Sequence, residues 1–326
     1  MIARVAEHCF WLFRYLERAE DTARLLQVNR AFELDIDLPP SEAWKPVLHA
    51  AGELPAFTRR FGAAAREDPQ AVQQYLAWDE SCGASIHASL HLARENARTI
   101  RDAISLEMWR SMNTFWLWFT GREGRALYTR DRHAFYERVK EGCQLFHGQT
   151  LTTMLHEEPF AFMRMGGLLE RAVQTLRMVD ASVSRQLPRD RAGASPHEGS
   201  LWLAALRSCS ASEAFAKRNT GPLAAGPAAV FLLHDDAFPR SVTHCLDRAA
   251  RFLDFVTPAD GPPVGRNAHA ALRQARAELA SLQLEWVTPR ALGPELRRLV
   301  DGVHTACDRI RDDFFQCAIP VDEAAA

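Results

Sequence analysis

The apolar positions of this chain fall at helical spacing along most of its length, and the densest run comes first. Side chains from Cys9 to Phe13 are apolar without a gap, and the pattern resumes at Tyr15, Leu16, Ala19, Ala23, Leu25 and Leu26, so most of this helix's circumference is expected to leave water. The spacing predicts a central helix from about Ile2 to about Asn29, with a break at Asp37 to Ser41 where two prolines end the pattern and Ser41 can cap the next element. Helical patterns follow around Trp44 to Phe57, after Ser85, through Trp109 to Phe119, and in the stretches ending at His147 and His304. Segments rich in Pro, Gly and Ala at 187–200, 219–229 and 257–267 separate helices, and no strand alternation lies between them. The expectation is an all-α protein.

The pattern repeats. Sliding the chain by 153 positions places Leu16, Glu17, Arg18, Ala19, Thr22 and Arg24 on Leu169, Glu170, Arg171, Ala172, Thr175 and Arg177. Weaker echoes join Trp44 to Trp202, Phe57 to Phe215 and Arg60 to Arg218. Others join Asp79 to Asp235, Ser85 to Ser241 and His147 to His304. A period this long implies duplication of a whole helical unit rather than a short solenoid module. The expected organisation is therefore a pseudo-symmetric helical bundle built from a tandem duplication, with repeats at 1–153 and 154–318 packed as one body and a disordered tail at 319–326.

Charge on such an apolar helix needs partners. Glu17 and Arg18 are neighbours about 100° apart around the helix and do not pair with each other. One reading makes Arg14, Glu17, Arg18 and Asp21 a ladder of local ion pairs on an exposed stripe. The second half argues against it, because Gly167 and Gln174 stand where Arg14 and Asp21 would be, yet Glu170 and Arg171 persist. That comparison favours a tertiary or ligand contact, which leaves a buried structural ion pair and a binding site both open.

Composition narrows the class. With 47% hydrophobic residues and 39 Lys plus Arg against 41 Asp plus Glu, the 326-residue chain is expected to be a soluble globular protein with no nucleic-acid footprint. Its seven cysteines form no Cys-x-x-Cys pair, and the first apolar run is short and broken by Arg14 and Glu17. Together these predict reduced thiols in a cytoplasm, with neither signal peptide nor membrane span.

Candidate chemistry concentrates in the first half. Arg94, Glu95, Asn96 and Arg98 have no close counterpart in the second half. They are expected either to join the Glu17 and Arg18 face as one anion-binding site or to form an ordinary charged surface with Glu95 reaching Arg98. On the one-site reading, Arg177 should matter less than Arg94 and Arg98. Ser85 and Ser241 read as helix N-caps, and Asp79 and Asp235 as turn residues. Trp109, Phe115, Trp116, Trp118 and Phe119 read as core, with a partner groove as the alternative. Asp301 and Asp308 flank His304 at ligand spacing, but Gln144 and Leu151 stand at those places around His147, so no metal is expected and each histidine reads as a hydrogen-bonded core residue. No cofactor motif and no recognisable catalytic motif is present.

The tandem Leu-Glu-Arg-Ala segments, the Ala-Arg-Glu-Asn-Ala-Arg helix at 93–98 and Phe-Pro-Arg-Ser-Val at 238–242 together resemble the bacterial alpha-E family over essentially the whole chain. The chain departs from the family's pattern at Gly166 and Gly167, ahead of the second Glu-Arg pair. The resemblance implies an all-helical fold and a genomic setting beside circularly permuted ATP-grasp proteins, with transglutaminase-like and Ntn-type peptidase proteins nearby. It supplies no catalytic residue. The function it suggests is an accessory or substrate-holding subunit of an ATP-grasp-dependent peptide synthesis or modification system, binding a carboxylate ligand through Glu17, Arg18, Arg94, Glu95, Asn96, Arg98, Glu170 and Arg171. Two alternatives are an enzyme with Glu17 or Glu170 as general base and Arg as stabiliser, and a purely structural scaffold.

Overall fold

The computed structural model describes residues 3–35, 40–186, 198–257, 264–282 and 289–316. Among them are fifteen α-helices and no strand. The first series is α1 (Ala3–Asp35), α2 (Pro40–Ala50), α3 (Leu54–Phe61), α4 (Pro69–Trp78), α5 (Ile86–Thr99), α6 (Leu106–Thr120), α7 (Arg122–Arg130) and α8 (Arg132–Thr153). The second is α9 (Glu158–Gln186), α10 (Glu198–Ser208), α11 (Ser212–Arg218), α12 (Ala225–His234), α13 (Val242–Val256), α14 (Arg266–Ser281) and α15 (Pro289–Ile310). Helix α1 runs to Asp35, past the predicted end near Asn29, because Phe32 continues the buried stripe to the helix end. The proposed tail at 319–326 and much of the linkers at 187–200 and 257–267 lie outside the described residues.

Two long helices form the centre. Helices α1 and α9 lie side by side and run in the same direction, since contacts along their length hold a nearly constant offset. Phe10 meets Gly166, Phe13 meets Gly167, Arg14 meets Glu170 and Glu17 meets Arg171. Glycine makes the approach possible: a Cβ on Gly166 would stand 2.2 Å from the Phe10 carbonyl oxygen. The Gly-Gly departure in the second half is thus a packing device that brings two backbones together.

Two helices flank each member of the pair. Helix α5 lies antiparallel to α1, joining Asn96 to His8 at one end and Ala84 to Thr22 at the other. Helix α8 lies antiparallel on another side, with Gln27 bound to Glu137 and Lys140, Gln144 to Glu20, and Phe13 against His147. Around α9 the corresponding neighbours are α13 and α15. Leu12, Leu16, Leu26, Leu169, Leu176 and Val179 are fully enclosed, as expected of helices covered on nearly all sides.

Caps fix the ends of the flanking helices. Ser85 Oγ accepts the Ala88 N–H at 3.0 Å and Ser241 Oγ accepts the His244 N–H at 3.1 Å, and each hydroxyl also donates to the carbonyl of Asp79 or Asp235. The capping roles predicted from sequence hold. Phe119 enters the core beside Trp78 and Phe135, while Trp109, Phe115, Trp116 and Trp118 are only partly covered. Among the described residues no helix is long and apolar enough to cross a membrane.

Candidate functional site: crossed glutamate–arginine pairs

Both glutamates of the repeated segment are enclosed, Glu17 at 0% and Glu170 at 1% exposure. Each is gripped from the opposite helix. Arg171 donates to Glu17 through Nε and Nη2, both at 2.7 Å, and Arg18 donates to Glu170 through Nε at 2.7 Å and Nη2 at 3.0 Å. The parallel packing of α1 and α9 makes this crossing possible, because residues at equal height face one another. The remaining Nη1 of each arginine reaches the loop before a flanking helix, Gly83 O at 3.2 Å for Arg18 and Pro239 O at 3.3 Å for Arg171. Thr22 and Thr175 repeat the pattern one turn on, donating to Ala84 O and Arg240 O.

The two centres then diverge. Arg14 reaches Glu170 with Nε at 2.9 Å and Nη2 at 2.8 Å, and Gly167, at the equivalent place, has no side chain to return the contact. Glu17 instead takes its second cation from Arg240 at 3.1 Å, on the α13 side where the first half has Ala84. Arg240 also bonds Asp21 at 2.7 Å and Glu20 at 3.2 Å, and Arg24 bonds Asp21 at 2.6 Å and Glu20. The exposed ladder of local pairs on Arg14, Glu17, Arg18 and Asp21 is not what forms, since Arg14 and Arg18 both turn to α9.

Electrostatics follow from this wiring. Burial alone would push the Glu17 carboxyl up, but Arg171 and Arg240 outweigh it and hold it well below the usual carboxylate range. Burial is likewise outweighed at Glu170 by Arg18 and Arg14. Asp21 goes the other way. Burial raises it to about 6, Arg240 and Arg24 offset this only in part, and Glu17 and Glu20 add to it. Its Oδ2 is buried with no hydrogen-bond partner.

His147 stands at this centre, with Nε2 3.6 Å from Glu17 and 4.0 Å from Glu20. Neither ring nitrogen has a hydrogen-bond partner, which corrects the expectation of a hydrogen-bonded core histidine. Burial lowers its pKa, and Glu17 and Glu20 oppose that shift without cancelling it. One donor atom each from Glu17, Glu20 and His147 lies within 4.8 Å of the others, close enough for a metal ion. The two carboxylates already carry three guanidinium partners, Arg24, Arg171 and Arg240, and a cation would have to displace or face them. His304 has the opposite surroundings: burial lowers its pKa, and Arg177 and Arg14 lower it further.

The other predicted group lies elsewhere. Arg94 bonds Asn113 at 3.0 Å and Glu95 at 2.9 Å, Glu95 also takes Arg98 at 2.8 Å, and Asn96 bonds Leu92 O at 2.7 Å and His8 at 2.7 Å. Because α5 is antiparallel to α1, Arg94, Glu95, Asn96 and Arg98 sit near His8, about 15 Å along α1 from Arg18 at a rise of 1.5 Å per residue. Glu17, Arg18, Glu170 and Arg171 are brought together, and the α5 charges form a separate, partly exposed cluster. Arg14, Glu20, Asp21, Arg24, His147 and Arg240 complete the centre without having been singled out as site residues. Two signals pointed to them, the loss of Arg14 and Asp21 in the second half and the presence of Arg240 in the Phe-Pro-Arg-Ser-Val segment.

Among the described residues no cysteine has the surroundings of an activated nucleophile. The six described cysteines are unpaired and buried, and burial pushes the thiols of Cys9, Cys82, Cys209 and Cys245 up to about 12.

Fold and centre define a class: an all-helical domain whose two halves are tied by reciprocal glutamate–arginine pairs. A family described as "a predicted alpha-helical domain with a conserved ER motif", Alpha-E, matches residues 1–315, and the chain belongs to it. The chain is also similar, at 24% identity over 328 residues, to the proteins Mb2597 of Mycobacterium bovis and Rv2567 of Mycobacterium tuberculosis, both named only as uncharacterized. The match takes in 95% of this chain and 36% of each relative, so the chain spans about a third of their length. No solved structure matches it significantly.

Proposed function

We propose that this protein is a cytoplasmic, substrate-holding subunit that presents a carboxylate-bearing peptide to an ATP-grasp ligase. The reading that it holds rather than reacts is carried by the state of its central carboxylates. Glu17 and Glu170 are enclosed, each bound by a two-toothed guanidinium fork and a second arginine, and each held ionised far below neutral pH. A general base must accept a proton near the working pH, and such groups do not. That weighs against an enzyme using either glutamate as base. The resemblance to alpha-E proteins, with their setting beside ATP-grasp proteins, suggests such a ligase as the partner, and arginine forks suit a planar carboxylate.

The test is reconstitution. The full chain, mixed with an ATP-grasp protein of the kind found beside alpha-E proteins, is expected to co-elute with it and to accelerate ATP-dependent joining of an amine to a carboxylate peptide. The chain alone is expected to consume no ATP. Ligation at an unchanged rate without the chain would return it to a structural scaffold, and product formation by the chain alone would make it an enzyme.

A further inference from the structure

The two centres differ in charge, and the difference is local. In the first half Arg24 is neutralised by Glu20 and Asp21, one turn before it on α1. The equivalent arginine on α9 is Arg177, and the places of Glu20 and Asp21 are taken by Val173 and Gln174. Both carboxylates are missing, but the arginine remains. Among the described residues Arg177 makes no ion pair and no hydrogen bond, although it is only partly exposed. Its guanidinium lies against Gly52, where a Cβ would come within 2.9 Å of its Cζ.

The neighbourhood does not supply the missing charge. Arg14, Arg18 and Arg177 face Glu170, which already accepts from the first two and from Gln174 at 3.2 Å, and the other carboxylate that acts on Arg177, Glu53, accepts from the Tyr75 hydroxyl at 2.8 Å and forms no ion pair with it. His304 responds to this surplus, its pKa lowered by burial and then by Arg177 and Arg14, whereas His147 at the equivalent position faces Glu17 and Glu20. Arg164, the other half-buried arginine without a partner here, sits nearer Glu17, where three carboxylates already stand.

We infer that Arg177, with Gln174 and the outer edge of Arg18, forms a binding site for the carboxylate of the held ligand, which occupies the place that Glu20 and Asp21 fill in the first half. This rests on the carboxylate-holding reading above and locates it. Five guanidinium N–H donors of Arg177 and the Gln174 side chain lie along one face of α9, at spacing i and i+3, and a planar carboxylate accepts such a fork in two parallel bonds. Apolar helices on either side reduce screening, which strengthens the contact over one at an open surface. Arg177 is therefore expected to matter more than Arg94 and Arg98, because those two are already bonded to Glu95 and Asn113.

The experiment uses the full chain alone, so its outcome is independent of any ligase. Glutarate and inorganic phosphate are titrated separately at matched ionic strength, with binding read by calorimetry and by the shift in Tm. Glutarate is expected to bind and to raise Tm, and Arg177→Gln to weaken it by about tenfold or more at unchanged folding. Gln174→Glu puts one missing carboxylate back beside Arg177 and is expected to abolish the glutarate response, while its loss of the donation to Glu170 lowers Tm without ligand. Arg98→Gln serves as a control that leaves binding unchanged. Absence of glutarate binding, or an Arg177→Gln variant that binds glutarate as tightly as the parent, overturns the site. Binding of phosphate with none of glutarate overturns the carboxylate assignment. Glutarate binding without any effect in reconstituted ligation would keep the site and sink the proposed function.

Discussion

Glu17 and Glu170 are ions that water does not reach, and their partners come from the other half of the chain. Removing Glu17 leaves the largely enclosed Arg171 guanidinium without a counter-charge, while Arg240 keeps Asp21 and Glu20, so Glu17→Ala is expected to cost about 3 kcal/mol. Urea denaturation should show it against Glu80→Ala, whose side chain is 83% exposed and whose loss should stay within about 0.5 kcal/mol. The depressed carboxyl of Glu170 also sets a pH window. A folded pKa below the unfolded value stabilises the protein above the unfolded pKa, near about 4.3, and that contribution disappears as pH falls further towards the folded value. Stability measured between pH 7 and pH 3 should fall steeply below about pH 4.3 in the parent and less steeply in Glu170→Gln. That the pair is charged, central and non-local could be read in the sequence, because Glu-Arg persists where the local partners of Glu17 are lost. That Glu17 faces Arg171 and Glu170 faces Arg18 could not, since a repeat gives equivalence between positions and says nothing of which copies touch.

Elements were legible where one helix's own pattern fixes them and illegible where two backbones meet. The caps at Ser85 and Ser241 and the apolar circumference of α1 follow from residue type and spacing. The role of Gly166 does not, because a glycine within a helix carries no local sign of the carbonyl it approaches. Gly166→Ala would press a methyl into the Phe10 carbonyl, a backbone atom that cannot step aside, and is expected to cost about 2 kcal/mol or more by forcing the helices apart. Gly167→Ala meets only the Phe13 side chain at 3.4 Å, and the gain of about 1 kcal/mol in helix propensity should leave it neutral or stabilising. Thermal melts of the two variants would separate close packing from simple loss of a helix-weakening residue. The charged run on α5 was expected to meet the Glu17 face because it has no counterpart in the second half. Antiparallel packing carries it to the opposite end of α1, a fact of helix direction that residue type does not encode.

At the scale of the molecule, the all-α class and the central place of the two Glu-Arg helices were both readable from periodicity and from the long echo. The imbalance of charge between the two centres was only half readable: the sequence displays Gln174 opposite Asp21, but that Arg177 has no ion-pair partner among the described residues shows only in three dimensions. The crossed pairs have a further consequence for the chain as a polymer. Each half encloses a carboxylate whose counter-charges include an arginine fork from the other, so the stretch near 154–157 behaves as a tether between two mutually dependent pieces. Severed there, neither piece can complete its own ionic core. A 1–155 fragment and a 156–326 fragment should each be poorly folded by circular dichroism and should regain cooperative melting when mixed, while Arg171→Ala in one fragment should block that recovery. The domain is, in effect, an obligate pair whose partners happen to share one backbone.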